Sequence, residues 1–181
     1  VTFFDIHLGK GDEIADYSLS YNTSNTETKS MSVNYYEGGL RASAMTASDT
    51  DKALEKTESF RKNIGALPGS VDPLDFTRSK TVTIFDIHLG KGDEIADYSL
   101  SYNTLNTETK SMSVNYYEGG LRASAMTASD TDKALEKTES FRKTIGAPAG
   151  SLDPLSFTRS KSVTFFDIHL GKGDEIADYS V

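Results

Sequence analysis

Apolar and polar residues alternate one by one along the start of this chain. In Val1–Leu8, the residues Phe4, Ile6 and Leu8 fall on one side and Phe3, Asp5 and His7 on the other, the period-two pattern of a strand. Gly9, Lys10, Gly11 and Asp12 then form a turn. Alternation resumes over Ile14–Tyr21, with Tyr17, Leu19 and Tyr21 opposite Ser18 and Ser20. These two segments predict a hairpin. The polar stretch Asn22–Ser30 predicts a loop. Met31–Tyr36, the turn Glu37-Gly38-Gly39 and Leu40–Thr46 predict a second hairpin, with Leu40, Ala42, Ala44 and Thr46 aligned on the return strand. The period then changes. Ser48, Asp49, Thr50 and Asp51 offer N-caps, and Ala53, Thr57, Phe60 and Ile64 lie four, three and four apart, which predicts a helix to about Asn63. Glu58 and Lys62 supply an i,i+4 pair, Gly65 a C-terminal cap and Pro68 a stop.

The whole succession repeats. Val1–Ser18 returns at Val82–Ser99 and at Val163–Ser180, 81 residues apart each time, with Ile84 the single variant in place of Phe3 and Phe165. The expected fold class is α+β: tandem 81-residue repeats, each of two β-hairpins forming an antiparallel sheet with one helix packed on it. Repeat 1 is 1–81, repeat 2 is 82–162, and 163–181 is the first hairpin of a partial third. A second register stays open, in which a unit starts at its second hairpin and closes with the next copy's opening strand. The two full copies differ at eight positions, six of them in the last nineteen residues. That region contains ALPGSVDPL and reads as a linker. A protein of this kind is expected to be a piece of a longer repeat array.

Composition narrows the function. Eight aromatic residues in the first repeat, Phe3, Phe4, Tyr17, Tyr21, Tyr35, Tyr36, Phe60 and Phe76, and seven in the second, where Ile84 replaces Phe3, make a thin core that needs neighbours or a partner. A net charge of −8 and a pI near 4.9 argue against nucleic acid and anionic membranes. Apolar runs are too short to span a bilayer, so no membrane insertion is expected. The absence of cysteine excludes disulfides, thiolate metal sites, cysteine catalysis and thioether-linked chromophores.

No constellation points to a reaction. His7, with Asp5 on the same strand face, has equivalents in His88 and His169. The pair could join a metal site, but a histidine hydrogen-bonded to its aspartate is favoured, since no second histidine stands at ligand spacing. Gly9-Lys10-Gly11-Asp12 lacks the spacing of a phosphate loop, and Asp49, Asp51 and Glu55 that of a calcium loop. Asn22-Thr23-Ser24 matches a glycosylation acceptor that Leu105 destroys in copy two. No catalytic residue, cofactor ligand or metal ligand is assigned. Adjacent Tyr35 and Tyr36 point to opposite sheet faces, so one leaves the core, as suits a protein-binding surface.

The opening strand Val82–His88, its glycine- and lysine-containing turn with acidic residues after it, and the later Ser-Asp entry with Ala-Leu-Glu-Lys resemble the small alpha chains of cryptophyte phycoerythrins. They are also similar to the alpha-like motif of red-algal phycobilisome linker proteins. The similarity covers about a third of each repeat, over Val1–Gly11, Ser48–Phe60 and their copies. It implies a hairpin plus helix that grips phycobiliproteins: a non-enzymatic, thylakoid-associated linker of the chloroplast light-harvesting antenna. Chromophore-bearing alpha chains attach a bilin through a cysteine after the first strand. Ile6-His7-Leu8-Gly9-Lys10 has none, so the resemblance implies a colourless scaffold that at most touches its partners' bilins. The partner-binding residues then expected are Asp5, His7, Lys10, Tyr35 and Tyr36, with Asp86, His88, Lys91, Tyr116 and Tyr117 in the second copy. The alternative is an extracellular repeat stalk or adhesin, for which serial near-identical domains are typical.

Overall fold

The computed structural model describes residues 1–63, 65–67, 69, 71–143 and 157–181. Among them runs one antiparallel sheet of ten strands in chain order. Repeat 1 supplies β1 (Thr2–Asp5), β2 (Ile14–Tyr21), β3 (Thr28–Tyr36) and β4 (Leu54–Arg61). Repeat 2 supplies β5 (Arg78–Asp86), β6 (Ile95–Tyr102), β7 (Thr109–Tyr117) and β8 (Leu135–Arg142). The third copy adds β9 (Arg159–Asp167) and β10 (Ile176–Ser180). The sequence boundary between residues 81 and 82 lies inside β5.

The α+β expectation is overturned. The segment expected as a helix is a single 3-10 turn, Ala47–Asp49, followed by strand β4. The capping signal is present, but it closes only that turn: the Asp49 carboxylate accepts from the Thr46 N–H at 2.9 Å and from its hydroxyl at 2.6 Å. Beyond it, Leu54-Glu55-Lys56-Thr57-Glu58-Ser59-Phe60-Arg61 fits period two as well as period 3.6, and Thr, Ser and Phe suit a strand. The neighbours decide. On one side β4 pairs with β3 from Tyr36↔Leu54 to Ser30↔Arg61, and on the other with β5 from Lys56↔Ile84 to Arg61↔Arg78. As a helix, the same residues would leave two buried strand edges unbonded. Ile64 and Pro68, which were to finish the helix, lie outside the described residues.

The second hairpin is also corrected. Met31–Tyr36 does not turn back onto Leu40–Thr46. Beyond one isolated bridge, Tyr36↔Leu40, that segment is a 3-10 turn at Ala42–Ala44. Small alanines let it fold closely over the strand ends: Ala42 (0% exposed) and Met45 (2%) pack with Ile14 and Tyr36, and Leu8, Leu40 and Leu54 flank them. The polar loop is shorter than expected, because β3 already begins at Thr28. Asn22 organises it by accepting from the Thr26 N–H at 2.9 Å, while Asn25 takes a positive φ of 54°.

A second cluster lies towards the other strand ends. Leu19, Met31 and Val33 are covered by Phe76, itself 3% exposed, with Tyr17, Tyr21, Tyr35 and Phe60 around them. The stretch expected as linker therefore delivers a core residue. A 3-10 turn at Pro73–Asp75, capped by the Asp72 carboxylate on the Leu74 N–H, aims Phe76 inward. Phe157 does the same for Leu100, Met112 and Val114. The rest of the second linker, 144–156, lies outside the described residues.

Between the bulges the two sheet faces differ sharply. One face carries Val33↔Glu58↔Val82↔Leu100 with Tyr17, Leu19, Met31 and Phe60. The other carries Ser18↔Ser32↔Ser59↔Thr81↔Ser101↔Ser111 in one unbroken line. Ser32 and Ser59 share a 2.7 Å hydrogen bond across it, as do Ser113 and Ser140 at 2.8 Å. Replacing Phe76 by Ala is expected to cost about 3–5 kcal/mol, the range for truncating a buried phenylalanine. Urea unfolding of the full chain measures it. A loss below about 1 kcal/mol would show that the linker does not seal the sheet.

Candidate functional site

Asp5 is the last residue of β1, and His7 stands in the turn that leads to β2, because the strand expected over Val1–Leu8 ends at Asp5. The His7 N–H donates to Asp5 Oδ1 at 3.0 Å, and the ring nitrogen Nδ1 meets the same oxygen. The other ring nitrogen, Nε2, donates to the Met45 carbonyl at 2.8 Å. His88 repeats the arrangement with Asp86 and with the Met126 carbonyl at 2.9 Å. Both ring nitrogens thus face acceptors, and only the imidazolium can donate to both. The Asp5 carboxylate first, and the Met45 carbonyl second, raise the His7 pKa above its ordinary value, and Asp86 and Met126 do so for His88. This is a clasp that holds the Ala42–Met45 loop against the hairpin.

Lys91 and Lys10 occupy the same place in two repeats but have different surroundings. The Lys91 ammonium reaches back to the Thr50 carbonyl of the preceding repeat at 2.5 Å. Beside it, Glu94 accepts the Leu54 N–H at 2.9 Å through one oxygen and the Gly92 N–H at 3.0 Å through the other. Lys172 and Glu175 fasten the third copy to Thr131 and Leu135 in the same way. The turn therefore serves as a latch between repeats. Lys10 makes no hydrogen bond or ion pair among the described residues.

The tyrosine pair does not divide into a core and a surface member: a bulge separates Tyr35 from Tyr36, and each packs against a different core cluster. Tyr36 is 8% exposed and donates its hydroxyl to the Ala15 carbonyl at 2.6 Å. Tyr117 does the same with Ala96, and burial pushes its pKa up to about 12. Tyr35 and Tyr116 are half-buried against the second cluster of their repeat. Each ring lies between a lysine 4.5 Å and an arginine 5.7 Å from its centroid, Lys56 and Arg41 for Tyr35, and Lys137 and Arg122 for Tyr116. Arg41 is in turn held by Asp16, with Nε at 3.0 Å and Nη2 at 2.8 Å from one carboxylate oxygen.

Sequence reasoning missed the charged bridge on this face. Glu58 joins Lys56 at 2.9 Å and Lys80 on β5 at 3.9 Å. Glu139 joins Lys137 at 2.9 Å and Lys161 at 3.0 Å. Burial pushes the Glu139 carboxyl up, and the two ammonium groups outweigh it, so its pKa stands below the ordinary value. The bridge follows from the register of β4 against β5, which depends on β4 being a strand. The expected residues do not gather into one site. Asp5 and His7 form the clasp, Lys91 the latch, Tyr36 and Tyr117 core, and Tyr35 and Tyr116 half-buried, cation-flanked rings.

Among the described residues no three of His, Asp and Glu come together as a metal-binding group. Comparison with family models, with curated proteins and with solved structures finds no match.

A raised histidine pKa contributes stability that is present below the unfolded value of about 6.5 and is lost as pH rises through the folded value. An NMR titration is therefore expected to place the midpoints of His7 and His88 above about 6.5. Asp86→Asn should lower the midpoint of His88 and leave that of His7 unchanged. Midpoints equal to those of a model peptide would dissolve the clasp.

Proposed function

We propose that this chain is a non-enzymatic repeat scaffold, a stalk or adhesin-type spacer at the cell surface in which each repeat adds four strands to one continuous sheet. The observation that carries the reading is the double bonding of β5 and β9. The same sequence that opens a repeat closes the one before it: β5 pairs with β4 and β6, and β9 with β8 and β10. Successive repeats are therefore joined by backbone hydrogen bonds and by the lysine–glutamate latch, without a flexible tether between separate bodies. A module that propagates in this way spaces and presents surfaces, and multiplies weak contacts through avidity.

The antenna-linker reading rested in part on a helix entered at Ser48, and those residues form a turn and a strand. The scaffold reading needs no helix. The chain has no cysteine, so no bilin is attached through a thioether. Contact with bilins of phycobiliprotein partners belongs with the antenna reading, as does a thylakoid location, and co-purification with pigmented phycobiliprotein would favour that reading over this one.

Strand spacing sets the expected length. Four strands advance the sheet by about 19 Å, at about 4.8 Å per strand. Small-angle scattering on chains of increasing repeat number is expected to show the maximum dimension growing by about that step per repeat. Growth with the square root of repeat number, as for flexibly tethered bodies, would overturn the scaffold.

A further inference from the structure

The hydroxyl face is not uniform. At the end where β4 stops and β5 starts, Arg61 stands opposite Arg78 in register, and Arg142 opposite Arg159 between β8 and β9. Like charges directly opposed across strands destabilise a sheet. A bulge with Ser79 at a φ of 50° sets the first of these pairings. Among the described residues none of the four arginines forms an ion pair, and Arg78 makes only a long 3.4 Å contact to the Lys62 carbonyl. Beside Arg142 an open groove of about 460 Å³ is lined by Ser111, Ser140, Phe141 and Ser162. Ser30, Ser59 and Thr81 hold the equivalent register positions beside Arg61.

We infer that the paired arginines and the serine lines next to them form one anion-binding site per repeat, and that successive sites take a sulfated or carboxylated polysaccharide lying across the strands. Arginine supplies forked donors for sulfate or carboxylate, and serine and threonine hydroxyls exchange hydrogen bonds with sugar hydroxyls. The sites recur every four strands, about 19 Å apart, a spacing that an extended chain bearing one anion every few sugars can meet. Duplex DNA fits worse. It carries one charge per about 1.7 Å, far denser than two arginines per repeat. The net charge of −8 obscures this site, because the paired positions of the face between the bulges carry Ser, Thr, Asn and Arg and no carboxylate.

This inference rests on the scaffold reading only for the spacing between sites, and its test separates the two. Binding of the full chain to dextran sulfate, neutral dextran and a DNA duplex is measured by calorimetry at low and at physiological salt. The expected result is salt-sensitive binding of dextran sulfate alone. Arg61→Gln with Arg78→Gln should weaken it at least about fivefold, and the variant with all four arginines replaced should not bind. The same variants, without polyanion, should melt at an equal or higher temperature, because a repulsion has been removed; a purely structural role would lower it. Full binding by the four-arginine variant, or tighter binding of DNA at equal charge, overturns the proposal. Loss of dextran sulfate binding by the unaltered chain, with the length per repeat intact, removes the ligand and leaves the scaffold standing.

Discussion

The structure depends on a strand that is hydrogen-bonded along both edges. In β5 and β9 the residues that begin one repeat complete the sheet of the last. A single 81-residue unit has few means of burying a face by itself. Leu19, Met31 and Val33 are covered chiefly by one phenylalanine from the connection between strands. Joining the sheets satisfies strand edges that would otherwise be open to aggregation. It also sets the register that brings Glu58 to Lys80 and Glu94 to the Leu54 N–H. The latch contacts cannot form without that pairing, so the order of dependence runs from backbone to side chain.

Among the described residues no second layer of strands or helices covers the sheet, and the core is replaced in part by polar contacts. Lysine ammonium groups lie over tyrosine rings, Lys56 over Tyr35 at 4.5 Å and Lys80 over Tyr102 at 4.6 Å. The same ammonium groups reach Glu58 between them. The long side chains shield apolar surface while keeping their charge in water. The opposite face needs no such cover, because serine and threonine are short and satisfied by water or by one another. That division explains how a sheet of ten strands carries few buried apolar residues per strand and still has two distinct sides.

Much of this was legible in the sequence, and the failures share a cause. Ile14–Tyr21 was read at the bounds the structure gives, since its alternation is unambiguous. The pairing of His7 with Asp5 was expected from one strand face, but it forms where β1 ends at Asp5 and the turn brings His7 back to its carboxylate. Leu54–Arg61 was misread because its apolar residues fit either period, and only the open edges of β3 and β5 choose between them. Leu40–Thr46 was misread for the converse reason. Its alternation is real, but Ala42 and Met45, three apart, are buried by a turn against Ile14 and Tyr36, and Ala44 is left exposed. Met45 as a partner of His7 had no signal, because it acts through its carbonyl, and any residue there has one.

The arginine pairs show how a local error in secondary structure hides chemistry. With Leu54–Arg61 taken as a helix, Arg61 and Lys62 are surface charges on its last turn, favourably placed against its dipole. As a strand the same segment turns Arg61 towards Ser30 on one side and Arg78 on the other. The bulge that includes Ser79 sets the second arginine in register with the first rather than one residue past it. A repulsive pair costs stability wherever it stands. Its recurrence at Arg142 and Arg159, beside a groove lined by serines, makes a counter-ion from outside the chain the simplest physical compensation. The acidic balance of the whole molecule is no obstacle, since the carboxylates gather at the turns and on the opposite face, where Asp16, Glu58 and Glu94 are each held by a donor of their own.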